Sequence, residues 1–264
     1  MGHVERAATM SAQRYHWLTR VRPAFLGSFL KRVLRVQRRG VSTAAGEFFI
    51  DPASNFGDSL LRDGEYEPQM AETVTSLLSE GDTFVDLGAN EGYFTIIAAK
   101  RVGPSGEVVC IEPQTRLQGV LHRNITSNGL RNVLVVQRAI SDSDGLATLA
   151  LSPDVNTGSS GLLRATRYSG EEQVVLQSTL KNLFGALRIN KVRLIKIDVE
   201  GFEYEAILGS KDVFISGVVE HIALELHDDM LERRGRSSAD IVQFLETCGY
   251  RMNSQCPTMV FSRV

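Results

Sequence analysis

Residues 194–203, LIKIDVEGFE, place Lys196, Asp198 and Glu200 between the apolar side chains Leu194, Ile195, Ile197 and Val199, with Glu203 just beyond Gly201. Successive side chains of a strand face opposite ways, so the three charges share one side and the isoleucines the other. Three unpaired charges inside a covered sheet would be prohibitively costly. They must pair with one another or emerge at the strand's carboxyl end, marked by Gly201, into a polar cleft. Asp198 and Glu200 there suit removal of a proton from a hydroxyl, with Lys196 holding one of them ionised. A second set follows in ALELHDD, where Glu225 and His227 share a face and an imidazole oriented by a carboxylate can serve as a base. The candidate catalytic residues are therefore Asp198, Glu200, Lys196, Glu225 and His227. Glu203 reads as a first-turn helix acid. Asp198, Glu200 and Glu225 together would suffice to hold Mg²⁺, but the spacing does not demand it and no metal is expected.

A ligand site is marked earlier, in VDLGANEGYF. Glycine at a strand-to-helix turn lets backbone approach a ligand with no Cβ in the way. A dinucleotide fingerprint counted from Gly88 would need glycine at 90 and 93, where this chain has Asn90 and Tyr93, and no G-K-[ST] phosphate loop occurs. A nucleoside without phosphates fits better. Glu112 ends the next strand 20 residues after Gly92, where a carboxylate can take both ribose hydroxyls. Asp86, or alternatively Asp198, can meet an ammonium group, and the helix start after Gly92 favours a carboxylate. An amino-acid end and a ribose end describe S-adenosylmethionine. Its expected contacts are Tyr66, Asp86, Gly88, Ala89, Asn90, Gly92, Glu112, Pro113 and Asp198.

Strand and helix patterns alternate from about residue 68: strands at 83–88, 108–111, 133–136, 193–199 and 221–226, with helices between. Near-continuous apolar strands in such an order predict an α/β fold, a doubly wound and mostly parallel sheet. The last two strands, 250–254 and 259–262, read as an antiparallel hairpin. Residues 141–171 break the rhythm as a loop insertion, and within it SPDVNTGSSGLLRATRYSG resembles a lid. Asn156, Ser159 and Ser160 would there hydrogen-bond a hydroxyl-rich acceptor.

The whole chain has 264 residues, 43% hydrophobic and 23% charged, enough for one large α/β domain. Three cysteines without C-x-x-C spacing predict neither disulfides nor zinc, so a reducing, cytoplasmic compartment is expected. The net charge of −2 hides an asymmetry: residues 1–40 hold nine Lys/Arg and one acid. The expected organisation is a basic segment over 1–45 and a catalytic domain over 46–264. Within the basic segment Phe25, Leu26, Phe29, Leu30, Val33 and Leu34 recur at helical spacing among Lys31, Arg32 and Arg35. Packing on the domain, docking of residues 20–38 on a membrane surface, and organelle targeting all stay open for this helix.

GDTFVDLGANEGYFTIIAA, GEVVCIEP, the NITSNGL of Asn124–Leu130, LIKIDVEGFEYEAILG and the DGEYEP of 63–68 together resemble the FkbM-type methyltransferases. The resemblance covers about residues 57–228 and implies a class I S-adenosylmethionine-dependent fold, with O-methylation of a sugar, glycolipid, polysaccharide or polyketide hydroxyl. It places Asp86, Gly88, Asn90 and Gly92 on the cofactor loop and Glu112 on the ribose. One departure is Lys181 after Thr179-Leu180, where members often carry Asp. A protein or RNA methyltransferase is the second reading, although no aromatic-plus-basic stripe marks the body and nucleic acid is not expected. A hydride-transferring dehydrogenase is the third, disfavoured by the missing G-x-G-x-x-G, and a non-catalytic nucleoside-binding module docked on membranes is a reading of another class.

Overall fold

The computed structural model describes residues 15, 17–18, 21, 24–151, 172–254 and 258–264. Twelve strands are present among them: β1 (Arg39–Ser42), β2 (Glu47–Ile50), β3 (Thr83–Leu87), β4 (Glu107–Ile111), β5 (Val133–Val136), β6 (Ala139–Ile140), β7 (Gly145–Ala150), β8 (Glu172–Ser178), β9 (Val192–Ile197), β10 (Val219–Leu224), β11 (Tyr250–Ser254) and β12 (Met259–Arg263). Seven form the main sheet in the order β5-β4-β3-β9-β10-β12-β11. β5, β4, β3, β9 and β10 are mutually parallel, and β12 runs antiparallel to both β10 and β11. The C-terminal hairpin thus exists, but its second strand is inserted between β10 and β11 rather than added at the edge. Phe261 of β12 is fully buried, whereas β11 carries Arg251 and Asn253 exposed and suits the rim.

The strands read as continuous apolar runs because helices cover both faces. Alternation sends Val85, Leu87, Ile195, Ile197, Ile222 and Leu224 into one core and Phe84, Val108, Leu194 and Ala223 into the other. The chain runs outward through β3, β4 and β5, then returns to β9 on the other side of β3. A crevice opens beyond the carboxyl ends of the strands at that reversal, where ligands bind in folds of this class. The insertion adds a small sheet, β6-β8-β7, from which Ile140 and Leu149 reach the cavity described below. Asn156, Ser159 and Ser160 lie outside the described residues.

Before the first sheet strand, the β1–β2 hairpin crosses residue 45, and Phe48 and Ile50 enter the core. Asn124 ties this hairpin to the glycine loop: its Oδ1 accepts from Phe49 N at 2.6 Å and its Nδ2 donates to Glu91 O at 2.8 Å. The helix Ala24–Val33 is fastened to the domain through an ion pair between Lys31 and Asp51. Just beyond it, Arg38 holds both carboxylate oxygens of Glu91 at 2.8 Å. No helix among the described residues is long and apolar enough to cross a membrane.

Candidate active site

The loop after β3 is shaped by three residues in left-handed backbone: Gly88 at φ 80°, Asn90 at φ 52° and Gly92 at φ 91°. Gly88 is constrained twice, because a Cβ there would stand 1.9 Å from the carbonyl oxygen of Asp198. This close approach brings the glycine loop against the end of β9, and Asp198 N donates to Leu87 O at 3.2 Å. Two sequence motifs more than a hundred residues apart thereby form one rim.

On the nucleoside side, Glu112 is 3% exposed. Its Oε2 accepts from Asn90 N and its Oε1 from Gln114 N, each at 2.9 Å. Burial pushes its pKa up to about 7 against the pull of those two amides. Each oxygen keeps further acceptor capacity for a ribose hydroxyl. Asn90 adds a buried side-chain oxygen, Oδ1, with no hydrogen-bond partner among the described residues. A glycine cradle, an unsatisfied acceptor and a two-oxygen carboxylate fit the ribose portion of S-adenosylmethionine, and Ile111 and Leu149 give apolar walls for its base.

The charged strand resolves by pairing. The register of β3 against β9 sets Asp86 opposite Lys196, and Lys196 Nζ lies 3.6 Å from Asp86 Oδ1 and 3.2 Å from Asp198 Oδ2. Lys196 is 1% exposed and also lies over the Phe94 ring. Burial alone would lower its pKa, but Asp198, Asp86 and Glu67 hold it above its ordinary value, so it stays charged. Thr95 Oγ1 donates to Asp86 at 2.7 Å. Lys196 and Asp86 therefore form a buried ion pair beneath the cleft rather than part of its wall.

Asp198 and Glu200 emerge at the open end, together with Glu225 and His227 from the end of β10. Imidazole Nε2 of His227 lies 3.5 Å from Glu200 Oε2 and 3.9 Å from Asp198 Oδ1. Its Nδ1 lies 2.9 Å from Oε1 of Glu203, which is fully buried and also accepts from Gly201 N at 3.0 Å. Burial and then Asp198 push Glu200 up to about 8. Burial, Asp198 and Glu67 push Glu225 up to about 7. Burial lowers the His227 pKa, but Glu203, Glu200 and Asp198 outweigh it and raise the value to about 9. The rim is thus crowded with carboxylates and built to hold positive charge.

Of the residues expected from sequence, Tyr66, Gly88, Asn90, Glu112, Pro113, Asp198, Glu200, Glu225 and His227 line one cavity of about 270 Å³. Asp86, Ala89, Gly92 and Lys196 lie behind its wall: Ala89 is buried, and a Cβ on Gly92 would meet Leu121 at 2.6 Å. Tyr66 packs edge-on against Phe56 and Tyr93 at 5.2 and 5.8 Å between ring centres and roofs the cavity from the N-terminal side. Glu67, Gln114 and Arg138 also line the cavity and carried no signal strong enough to be picked from sequence. Glu203 did carry one, as the fourth charge of LIKIDVEGFE, but its spacing equally fits a helix start.

A doubly wound, mostly parallel sheet in this order, with a glycine loop after β3 and a buried carboxylate just after β4, is an α/β fold of the class I methyltransferase type. Residues 86–252 match the methyltransferase FkbM domain, and the chain belongs to that family of S-adenosylmethionine-dependent methyltransferases. It is 30% identical over 154 residues to methyltransferase sdnD of Sordaria araneosa, covering 47% of this chain and 59% of that protein. It is 27% identical over 135 residues to protein-L-isoaspartate O-methyltransferase 1 of Archaeoglobus fulgidus, covering 48% and 61%. The chain thus spans about three fifths of the length of these relatives. Among solved structures, methyltransferase FkbM from Methylobacillus flagellatus KT superposes on 98% of this chain and 59% of its own, at 15% identity and a TM-score of 0.45.

Proposed function

We propose that the protein is an S-adenosylmethionine-dependent O-methyltransferase acting on a hydroxyl of a carbohydrate, glycolipid or polyketide-like acceptor. The observation that carries this reading is the single cavity shared by Glu112 and Asn90 at one end and by Asp198, Glu200, Glu225 and His227 at the other. When bound, the cofactor supplies an electrophilic methyl group on a sulfonium. Glu112 holds the ribose end, and the carboxylate-rich rim favours the cationic end. The same rim receives the acceptor's hydroxyl proton, a role typically worth ~10²–10⁴-fold in rate. Gly88, packed on Asp198, keeps the two ends in fixed register, and alignment supplies much of the remaining acceleration. The Archaeoglobus relative is by name an O-methyltransferase too, with protein L-isoaspartate as its acceptor. Incubation with methyl-labelled cofactor and panels of glycan, lipid-linked, polyketide, protein and RNA acceptors tests this reading. Label in a methyl ether of a glycan, lipid-linked or polyketide hydroxyl supports it, and label only in protein or RNA overturns it.

We further propose that the helix Ala24–Val33 rests on an anionic membrane surface. Phe29 and Val33 are each 59% exposed, and Leu26 and Leu34 are exposed beside them, flanked by exposed Arg32 and Arg35. Lys31 and Arg38 pair inward with Asp51 and Glu91 and fix the segment on the catalytic domain. Co-sedimentation with phosphatidylserine vesicles but not phosphatidylcholine vesicles is expected, lost in Phe29→Asp. Equal recovery from both, or none, refutes it.

A further inference from the structure

We propose that Asp198, Glu200 and His227 form a site for a divalent cation of the Mn²⁺/Mg²⁺ class. The inference deepens the methyltransferase reading and rests on it for the role of the ion. One carboxylate oxygen from each acid and one ring nitrogen of His227 lie within 4.8 Å of one another, each on a partly buried residue at the cleft rim. This differs from the all-carboxylate set that the sequence suggested, in which Glu225 stood where His227 stands.

A second observation, on a residue outside the trio, points the same way. Glu203 is fully buried and presents Oε1 to His227 Nδ1 at 2.9 Å, while its Oε2 has no hydrogen-bond partner among the described residues. A metal-bound imidazole characteristically gives its other N–H to a carboxylate, which fixes the ring and its tautomer. Here that arrangement leaves Nε2 turned toward Asp198 and Glu200. Two carboxylates and one imidazole suit a hard or borderline divalent ion. In a roughly six-coordinate ion they leave about three positions open. Those positions favour an acceptor with two neighbouring oxygens, such as a vicinal diol. A hydroxyl oxygen bound there ionises more readily: its O–H bond breaks with the proton passing to Glu225, the rim carboxylate outside the trio, the oxygen takes the methyl carbon, and the carbon–sulfur pair returns to sulfur.

The test is Mn²⁺ titration of the chelator-treated full chain, followed by loss of the free-ion electron paramagnetic resonance signal, with and without S-adenosylhomocysteine. One Mn²⁺ per chain is expected, weakened at least tenfold in Glu200→Gln and in His227→Ala. Glu203→Gln should weaken it by roughly 10–100-fold. Each variant's thermal melt reports whether it is folded. No saturable Mn²⁺ binding in protein that binds S-adenosylhomocysteine overturns the metal site and leaves the methyltransferase reading standing. Unchanged Mn²⁺ affinity in folded variants likewise overturns it. Mn²⁺ binding at the trio without any affinity for S-adenosylhomocysteine would uphold the site and sink the methyltransferase reading instead.

Discussion

Replacing Glu112 by glutamine changes one charge and almost no volume, and its consequences follow from two amides and a burial. The native carboxylate accepts Asn90 N and Gln114 N, one on each oxygen, at 2.9 Å. Glutamine keeps one acceptor and turns an NH₂ group toward one of those donors, so the loop after β3 loses an anchor. It also removes the negative charge that a ribose hydroxyl would meet, and hydrogen bonds to charged groups contribute about 1.5–3 kcal/mol each. Loss of about 2 kcal/mol weakens S-adenosylhomocysteine binding roughly thirtyfold. The pH dependence separates this account from a general disturbance. Burial raises the Glu112 pKa from 4.5 to about 7, so the carboxylate ionises between about pH 6 and 8. Affinity of the native protein should then rise about tenfold over that window through this group, a dependence the glutamine variant lacks. The same shift has a sign for stability. A raised carboxylate pKa leaves the folded state unpenalised below 4.5 and costs it about 3 kcal/mol as pH rises through 7. Isothermal titration with S-adenosylhomocysteine at pH 6, 7 and 8, with thermal melts of both proteins, reads all of this. Binding within threefold of native at pH 8, or an undiminished pH slope in the variant, would refute the ribose assignment.

Three further outcomes are expected. Lys196→Met should lower stability by about 3–5 kcal/mol, because it leaves Asp86 buried and uncompensated; denaturant unfolding reads this, and a loss under 1 kcal/mol would contradict the buried pair. Gly88→Ala should abolish measurable S-adenosylhomocysteine binding, since its Cβ meets a backbone oxygen at 1.9 Å and the residue holds φ 80°; titration of folded variant decides. Asn124→Leu should cost about 1–3 kcal/mol for the stranded Phe49 N–H and Glu91 carbonyl, and an unchanged melting temperature would show that the hairpin does not depend on it.

How much of this was legible in the sequence depends on range. The parallel sheet was readable because strands covered on both faces must be apolar throughout, as Phe84–Val85 and Leu194–Ile195 are. The glycine loop after β3 was readable because left-handed turns select glycine locally. The partner of Asp86 was not, since only the β3–β9 register brings Lys196 across from it. Asp86 therefore read as a ligand contact when its geometry is that of a buried ion pair. Glu203 read as a helix-start acid because nothing local marks the approach of His227 from the neighbouring strand. The order of β11 and β12 was hidden for the same reason. A hairpin's own residues set its pairing, but the surface it docks on decides which strand lies inside, and Tyr250 Oη reaching Val219 O at 2.6 Å is a contact across 31 residues. The small β1–β2 hairpin and the helix Asn55–Arg62 were missed because short elements carry little periodicity.

The central claim is that the crevice between β3 and β9 takes S-adenosylmethionine. Isothermal titration of the purified chain with S-adenosylmethionine, S-adenosylhomocysteine and NADH in parallel tests it most directly. Saturable binding of the two sulfur compounds and none of NADH is the predicted result. Binding of NADH alone, or of none of the three, would contradict the account.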